Sequence, residues 1–383
     1  MKINIVTTSR FHIATLAFEM AELGHQVTLY STSPKSILQK YAGNKVKICS
    51  LFLFAAPFLA LARVFRLKSV QEFSNKGLIL LIDTYTSLFM KSCDVFIGMS
   101  GISKFSMRSA KTKFSALTIL ERSSQHILSQ KKILQELKTK DPKIEQVNSW
   151  IIDRELYGYS LCDFIAVPSL VVKKSFLEQD VPEAKLFLNP FGVSLSEFKP
   201  QSIASNHQPT AIMTGSWSYR KGSDLLEKVW PLLKTNNAQL IHVGSVLDCP
   251  FPEHSKWLTH FDHVPQSLLN DFYAKAHIQI LLSREEGLAV VQAQGLQCGL
   301  VLVCTDRTGG EDLQNYVSAP ERILVVHADD IQAIAAAIDQ AFEIAFRQNY
   351  NRLLPMIQSL SWADYAKRYE AFLIKNIAAK KAN

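Results

Sequence analysis

Residues 283–299 read SREEGLAVVQAQGLQCG. An acid, Glu286, precedes a Gly-Leu pair at the entry to a short helical stretch, and an amide, Gln294, follows eight residues later. Helix N-termini present free N–H groups and a partial positive charge, so a glycine-led turn from strand to helix suits a phosphate. Two further turns have this character. Gly215-Ser216-Trp217-Ser218-Tyr219-Arg220-Lys221-Gly222 follows an apolar run and adds two cations, and Thr308-Gly309-Gly310-Glu311-Asp312 follows LVLVCTD. At the ends of neighbouring parallel strands, three such turns converge on one crevice. Cations and helix ends there suit a bound phosphate. No Asp-x-Asp occurs in the chain, so no acidic metal clamp on a phosphate is expected, and Lys221 and Arg220 take that work.

These turns need a scaffold, and the chain supplies one twice. INIVTT, the helical HIATLAFEMAELGHQ and VTLYST form a strand-helix-strand unit. The pattern recurs through CDVFIGMS, FSALTILE, DFIAVPS and KLFLNP. Residues 197–210 carry two prolines among small polar residues and read as a linker. The alternation then restarts with TAIMTGS and runs through QLIHVGS, IQILLS, LVLVCTD and RILVVHA. An α/β chain with parallel sheets follows. It divides into a first domain (1–196), a linker (197–210), a second domain (211–360) and a C-terminal amphipathic helix (361–383).

Charge is uneven over the 383 residues, whose net charge is +8. Residues 1–195 hold 25 Lys and Arg against 15 Asp and Glu, and the remainder is slightly acidic. The first half is therefore expected to meet something anionic: an acceptor, or an anionic membrane surface. No RNP-like motif, zinc finger or helix-turn-helix signature supports nucleic acid. Arg154, Lys173 and Lys174 read as solvated surface charge. Six scattered cysteines with no CxxC pair fit free thiols in a reducing compartment. MKINIVTTS runs straight into a strand, so a cytoplasmic protein is expected, either free or peripheral at the inner face of the membrane. SLFLFAAPFLALARVF (50–65) is apolar, interrupted by Pro57 and flanked by Lys45, Lys47, Arg63, Arg66 and Lys68. It is shorter than the roughly 20 residues that span a bilayer. Two readings stay open: a buried helix or lining of the interdomain cleft, and a monotopic membrane contact.

Over nearly its whole length the chain resembles the retaining glycosyltransferases of family 4, and the likeness strengthens from residue 93. It rests on VPSLVVKKSFLEQDVPEAKLFLNPFGVSLSEFKP, HVPQSLLNDFYAKAHIQILLSREEG and CGLVLVCTDRTGG; SRFHIATLAFEMAELGHQV and ERSSQHI look like one bacterial subgroup. The resemblance implies the GT-B fold, two Rossmann-like α/β/α domains facing each other across a cleft. It also implies transfer of a sugar from a nucleoside diphosphate sugar to a hydroxyl of a glycan, lipid-linked or other acceptor, with neither metal nor cofactor. Lys221 fits the lysine that holds the donor diphosphate. The family has an arginine five residues earlier; this chain has Ser216, with Arg220 as the neighbouring cation. Val264 and Pro265 fit the loop packed on the nucleobase. Glu286 fits the first acid of a Glu-x7-Glu motif, and Gly287 and Leu288 offer backbone N–H groups. Gln294 stands where the second acid binds the ribose. Gly215, Thr308 and Gly309 complete the donor set.

The first domain would hold the acceptor. Arg10, Phe11 and His12 stand where the family has a glycine-rich loop. The strand FSALTILE ends at Glu121-Arg122, and Ser123, Ser124 and His126 follow in a loop, where sites gather in parallel sheets. Many family members have a histidine at that strand end; Glu121 replaces it, with His126 nearby, and both join Glu286 as candidates near the transferred sugar. A non-catalytic sugar-nucleotide binder and an epimerase of the same fold are the alternatives.

Overall fold

The computed structural model describes residues 1–383 except 9–10, 66, 140, 143, 145, 203–207, 348–349, 355 and 383. Arg10 and part of the expected linker therefore lie outside the described residues, as does the side chain of Phe11.

The first unit comprises β1 (Lys2–Thr7), α1 (Phe11–Glu22), β2 (Gln26–Ser31), α2 (Lys35–Ala42), β3 (Lys47–Ser50), α3 (Phe52–Val64), α4 (Lys68–Phe89), β4 (Val95–Met99), α5 (Lys104–Phe114), β5 (Leu117–Glu121), α6 (Ile127–Lys138), α7 (Ser149–Leu161), β6 (Phe164–Val167), α8 (Leu170–Leu177) and β7 (Leu186–Leu188). Its strands form a parallel sheet in the order β3-β2-β1-β4-β5-β6-β7. The second unit comprises β8 (Thr210–Thr214), α9 (Ser223–Val229), β9 (Gln239–Val243), β10 (Leu258–Phe261), α10 (Gln266–Ala274), β11 (Ile278–Leu281), α11 (Val290–Gln297), β12 (Val301–Thr305), β13 (Ile323–Val326) and α12 (Ile331–Ala345), followed by α13 (Trp362–Ala382). Its parallel sheet runs β10-β9-β8-β11-β12-β13. Both are doubly wound Rossmann-like α/β/α domains. The strand order reverses between β1 and β4 and between β8 and β11, where such sheets open a crevice.

The central strands read as continuous apolar runs because helices cover both faces. All five residues of β4, β5, β8 and β12 are buried. The last helix, α13, lies against α1 and β5 of the first unit. Tyr365 and Tyr369 are buried there, and the Phe372 ring stacks 3.9 Å from Phe187.

Two expectations are corrected. The apolar segment 50–65 is not a buried helix: of α3, only Ala55 among its side chains is buried, because the helix packs on α4 instead of on the sheet. Arg154 is not a solvated charge. It is buried, donates to the carbonyls of Gly101 and Ile102, and pairs with the fully buried Asp83. Asp83 in turn accepts backbone N–H groups of Lys104, Phe105 and Ser106 at the start of α5.

Candidate active site

A cavity of about 750 Å³ opens at the second switch point. The β8–α9 loop supplies Gly215, Ser216, Arg220 and Lys221, and the β11–α11 loop supplies Glu286 and Leu288. The opposite wall belongs to the first unit, through Ser123 and Ser124 after β5, Gln130 on α6 and Gln146 before α7.

Two glycines permit this geometry. Gly222 has φ +73°, and a Cβ there would meet the Leu282 carbonyl oxygen at 2.1 Å, so it lets one loop fold against the other. At Gly287 a Cβ would meet the Ser123 carbonyl oxygen at 1.7 Å. Here the two units touch, and Ser169 Oγ donates to the Gly287 carbonyl at 2.7 Å. Only a residue without a side chain allows that approach.

The charges are held in a linked set. Lys221 donates to Glu286, and Arg220 Nη1 lies 3.7 Å from the same carboxylate oxygen. Burial pushes the Glu286 carboxyl up, but Lys221, Arg220 and a hydrogen bond from Ser283 outweigh it and leave it below the usual carboxylate range. Arg220 also donates to the Glu285 carbonyl at 3.0 Å. Ser218 steadies the loop: its Oγ accepts the Lys221 N–H at 3.3 Å, and its own N–H donates to Ser223 Oγ at 3.0 Å. The site therefore offers two cations beside an ionised acid. The N-terminus of α11 lies at the same place and has no side-chain cap.

Several residues behind this set escaped the sequence reading. Arg284, 2% exposed, makes a two-pronged bond to Asp224 and a third to Asp329, pinning the β11–α11 loop to α9. Glu285 is fully buried and accepts from Gln130 Nε2 across the units at 3.3 Å; its Oε1 has no hydrogen-bond partner. The run SREE held a signal, since three consecutive charges after a buried strand must find partners. Nothing in the sequence pointed to Gln130, Gln146 or Phe191, which also lines the cavity.

Other expected site residues stand apart from the cavity wall. Glu121 is buried under α13, where its carboxylate accepts from Tyr369 at 2.6 Å, Tyr365 at 3.2 Å and His12 at 3.0 Å. His12 lies behind Phe191, with ring centroids 4.3 Å apart. Arg122 is buried and ties Glu155, Gln130 and the Gln125 carbonyl together. His126 caps α6, accepting the Leu128 N–H on Nδ1, between Tyr159 and Phe176. Burial, helped by the Arg122 charge, pushes its pKa down to about 4, so it is neutral at pH 7. Val264 and Pro265 follow β10, the outermost strand, two positions from β8 in the sheet. Gln294 turns into the core of the second unit and accepts from the Tyr273 hydroxyl at 3.2 Å. Thr308 is buried, bonded to the Thr305 carbonyl and to Gln292. Gly309 packs on Ser169, and the chain continues as a 3-10 turn (Glu311–Tyr316) instead of an α-helix. That turn places Asp312 on the backbone N–H of Leu170, at the start of α8.

Among the described residues, no group of three or more His, Cys, Asp or Glu side chains is placed to hold a metal ion. No helix among them is long and apolar enough to cross a membrane.

Known proteins share this architecture. Residues 208–343 match the family model described as glycosyl transferases group 1. The chain is similar over 99% of its length to all of the sucrose-phosphate synthase of Thermosynechococcus elongatus, with 14% identity and a TM-score of 0.65. Anabaena HepE, solved with UDP and glucose, superposes with 12% identity and a TM-score of 0.58, covering 99% of this chain and 97% of that one. A trehalose 6-phosphate synthase from Burkholderia multivorans gives 9% identity and a TM-score of 0.62, covering 100% and 98%. The chain has the GT-B fold of these proteins, and its second Rossmann-like domain carries the match to the glycosyl transferase model.

Proposed function

We propose that the protein is a retaining glycosyltransferase of family 4 that needs no metal and moves a sugar from a nucleoside diphosphate sugar to an acceptor hydroxyl. The observation that carries this reading is the placement of Lys221, Arg220 and Glu286 on one wall of a cavity whose other wall comes from the first domain. The volume suits a donor molecule of this size. The similarity to proteins solved with nucleotide ligands supports it.

The roles follow from charge. Lys221 and Arg220 hold the diphosphate and stabilise the negative charge that grows as the sugar–phosphate bond breaks. The Gly287-Leu288 segment and the start of α11 add backbone dipole. Glu286, kept ionised by those same cations, orients the sugar and steadies its positive face. Ser123, Gln130 and Gln146 place the acceptor. The acceptor oxygen bonds the anomeric carbon on the face the phosphate leaves. Its proton passes to the leaving phosphate oxygen, so no side chain is needed as base. A glycan or lipid-linked sugar on the cytoplasmic side of a membrane is the acceptor this reading favours. The basic first domain supports an anionic acceptor or surface.

Calorimetric titration with uridine, guanosine and adenosine diphosphates tests the donor site. One of them should bind, and Lys221→Ala should weaken it by at least about tenfold, the worth of one charge-assisted contact. Equal binding by wild type and variant would remove Lys221 from the site.

A further inference from the structure

The α3–α4 hairpin exposes several large apolar side chains, and large exposed apolar patches mark interaction sites. Leu53 is 83% exposed, Val64 71% and Phe89 65%; Phe54, Leu67 and Leu88 are exposed to similar degrees. They occupy both ends of the hairpin. Its packing explains why: α3 rests on α4, where Phe58 sits over Gly77, and α4 rests on α5, leaving the outer side of α3 without a partner among the described residues. Beside it an apolar groove of about 740 Å³ runs along α4, lined by Phe58, Phe73, Leu80, Leu88 and Phe89.

Charge selects the occupant. From Lys47 to Lys91 the chain holds six Lys and Arg against two acids, Glu72 and Asp83. Asp83 is spent on Arg154 inside the fold, and α3 contains no acid. Exposed Arg63, Lys68 and Lys91 flank the apolar residues. We propose that this hairpin is a docking face for an anionic lipid bilayer. Phenylalanine and leucine enter the acyl boundary while the cations meet phosphate headgroups. A second copy of the chain would set like charges against each other. At about 1.5 Å per residue, α3 extends about 20 Å, less than the roughly 30 Å hydrocarbon core, and α4, though longer, is not apolar enough to cross it, so the hairpin lies along the interface.

The face also adjoins the candidate active site through a series of neighbouring cavities. The groove shares Lys76 with a smaller cavity of about 360 Å³, and that cavity shares Gln146 with the donor cavity. An acceptor carried in the bilayer thus has a route past Lys76 and Gln146 to the sugar. This route rests on the transferase reading; the docking face does not, so the two fail separately.

Vesicle flotation tests the face. Vesicles of phosphatidylglycerol and phosphatidylcholine in equal parts should carry wild-type protein up the gradient, and pure phosphatidylcholine vesicles should carry at least about tenfold less. High salt should weaken the binding. Leu53→Asp with Phe54→Asp should abolish flotation, and Arg63→Glu with Lys68→Glu should do the same through charge. All four side chains are exposed, and unchanged circular dichroism and nucleotide titration would show each variant folded. Flotation unchanged in either pair, or equal on neutral vesicles, would overturn the proposal. So would a lipid-free dimer, seen by light scattering, that the Asp substitutions dissociate.

Discussion

At the scale of single residues, placement at a strand end was legible and placement that depends on side-chain direction was not. Lys221 and Glu286 follow β8 and β11 by a few residues, so their loops had to open at the crevice, and both line the cavity. Gln294 shows the limit. The family resemblance implies a ribose contact there, yet its side chain accepts from Tyr273 inside the domain. Gln294→Glu is therefore expected to act on stability. A carboxylate there is buried, which raises its pKa and costs about 1–3 kcal/mol at neutral pH. The penalty disappears below the raised pKa. The melting temperature of the variant should fall clearly below wild type at pH 7 and approach it at pH 5. Equal melting at both values would place position 294 in solvent.

At the scale of elements, the alternation of apolar runs and helical spacing foretold both sheets, since buried parallel strands need neither polar faces nor hairpin turns. What the pattern could not give was which neighbour each element meets. Glu121 stands at a strand end, a natural site position, but Tyr365 and Tyr369 reach it from 244 and 248 residues away and seal it in the core. The apolar run of α3 was equally ambiguous, because hydrophobicity does not say whether a partner exists. The contact of two loops at Gly287 is an element-scale feature with a sharp consequence. In Gly287→Ala the added methyl must push Ser123 away, parting the walls of the cavity. Misplacement of this size costs on the order of 100-fold in turnover, with about 1–3 kcal/mol of stability. Steady-state kinetics beside a thermal melt would check this; unchanged turnover would mean that the loops need not touch during transfer.

At the scale of the whole molecule, stability should depend on pH through imidazoles buried neutral. Burial is the main cause that pushes His126, His242 and His277 down to about 4 each. Below about pH 6.5 the unfolded chain takes up these protons and the folded one does not, so stability falls as pH drops from about 6.5 to 4. Each histidine contributes up to roughly 3 kcal/mol of that loss. Asp312, which burial pushes up to about 6, acts in the opposite sense, because its folded form holds a proton that the unfolded form has lost. Three groups against one leave a net decline. His126→Asn retains an acceptor for the Leu128 N–H and cannot titrate, so its melting temperature should fall less steeply with acid than wild type. Parallel curves would show that His126 is charged in the fold.

The central proposal is that a nucleotide sugar sits between Lys221, Arg220 and Glu286 and gives up its sugar there. Release of nucleoside diphosphate from a panel of nucleotide sugars tests it most directly. Wild-type protein should turn over at least one donor, slowly by hydrolysis when no acceptor is supplied. Lys221→Ala should raise KM about tenfold or more, and Glu286→Gln should lower kcat by about 100-fold with little change in KM. A chain that binds a nucleoside diphosphate but releases none from any donor, with Glu286→Gln indistinguishable from wild type, would contradict the claim and leave a sugar-nucleotide-binding protein.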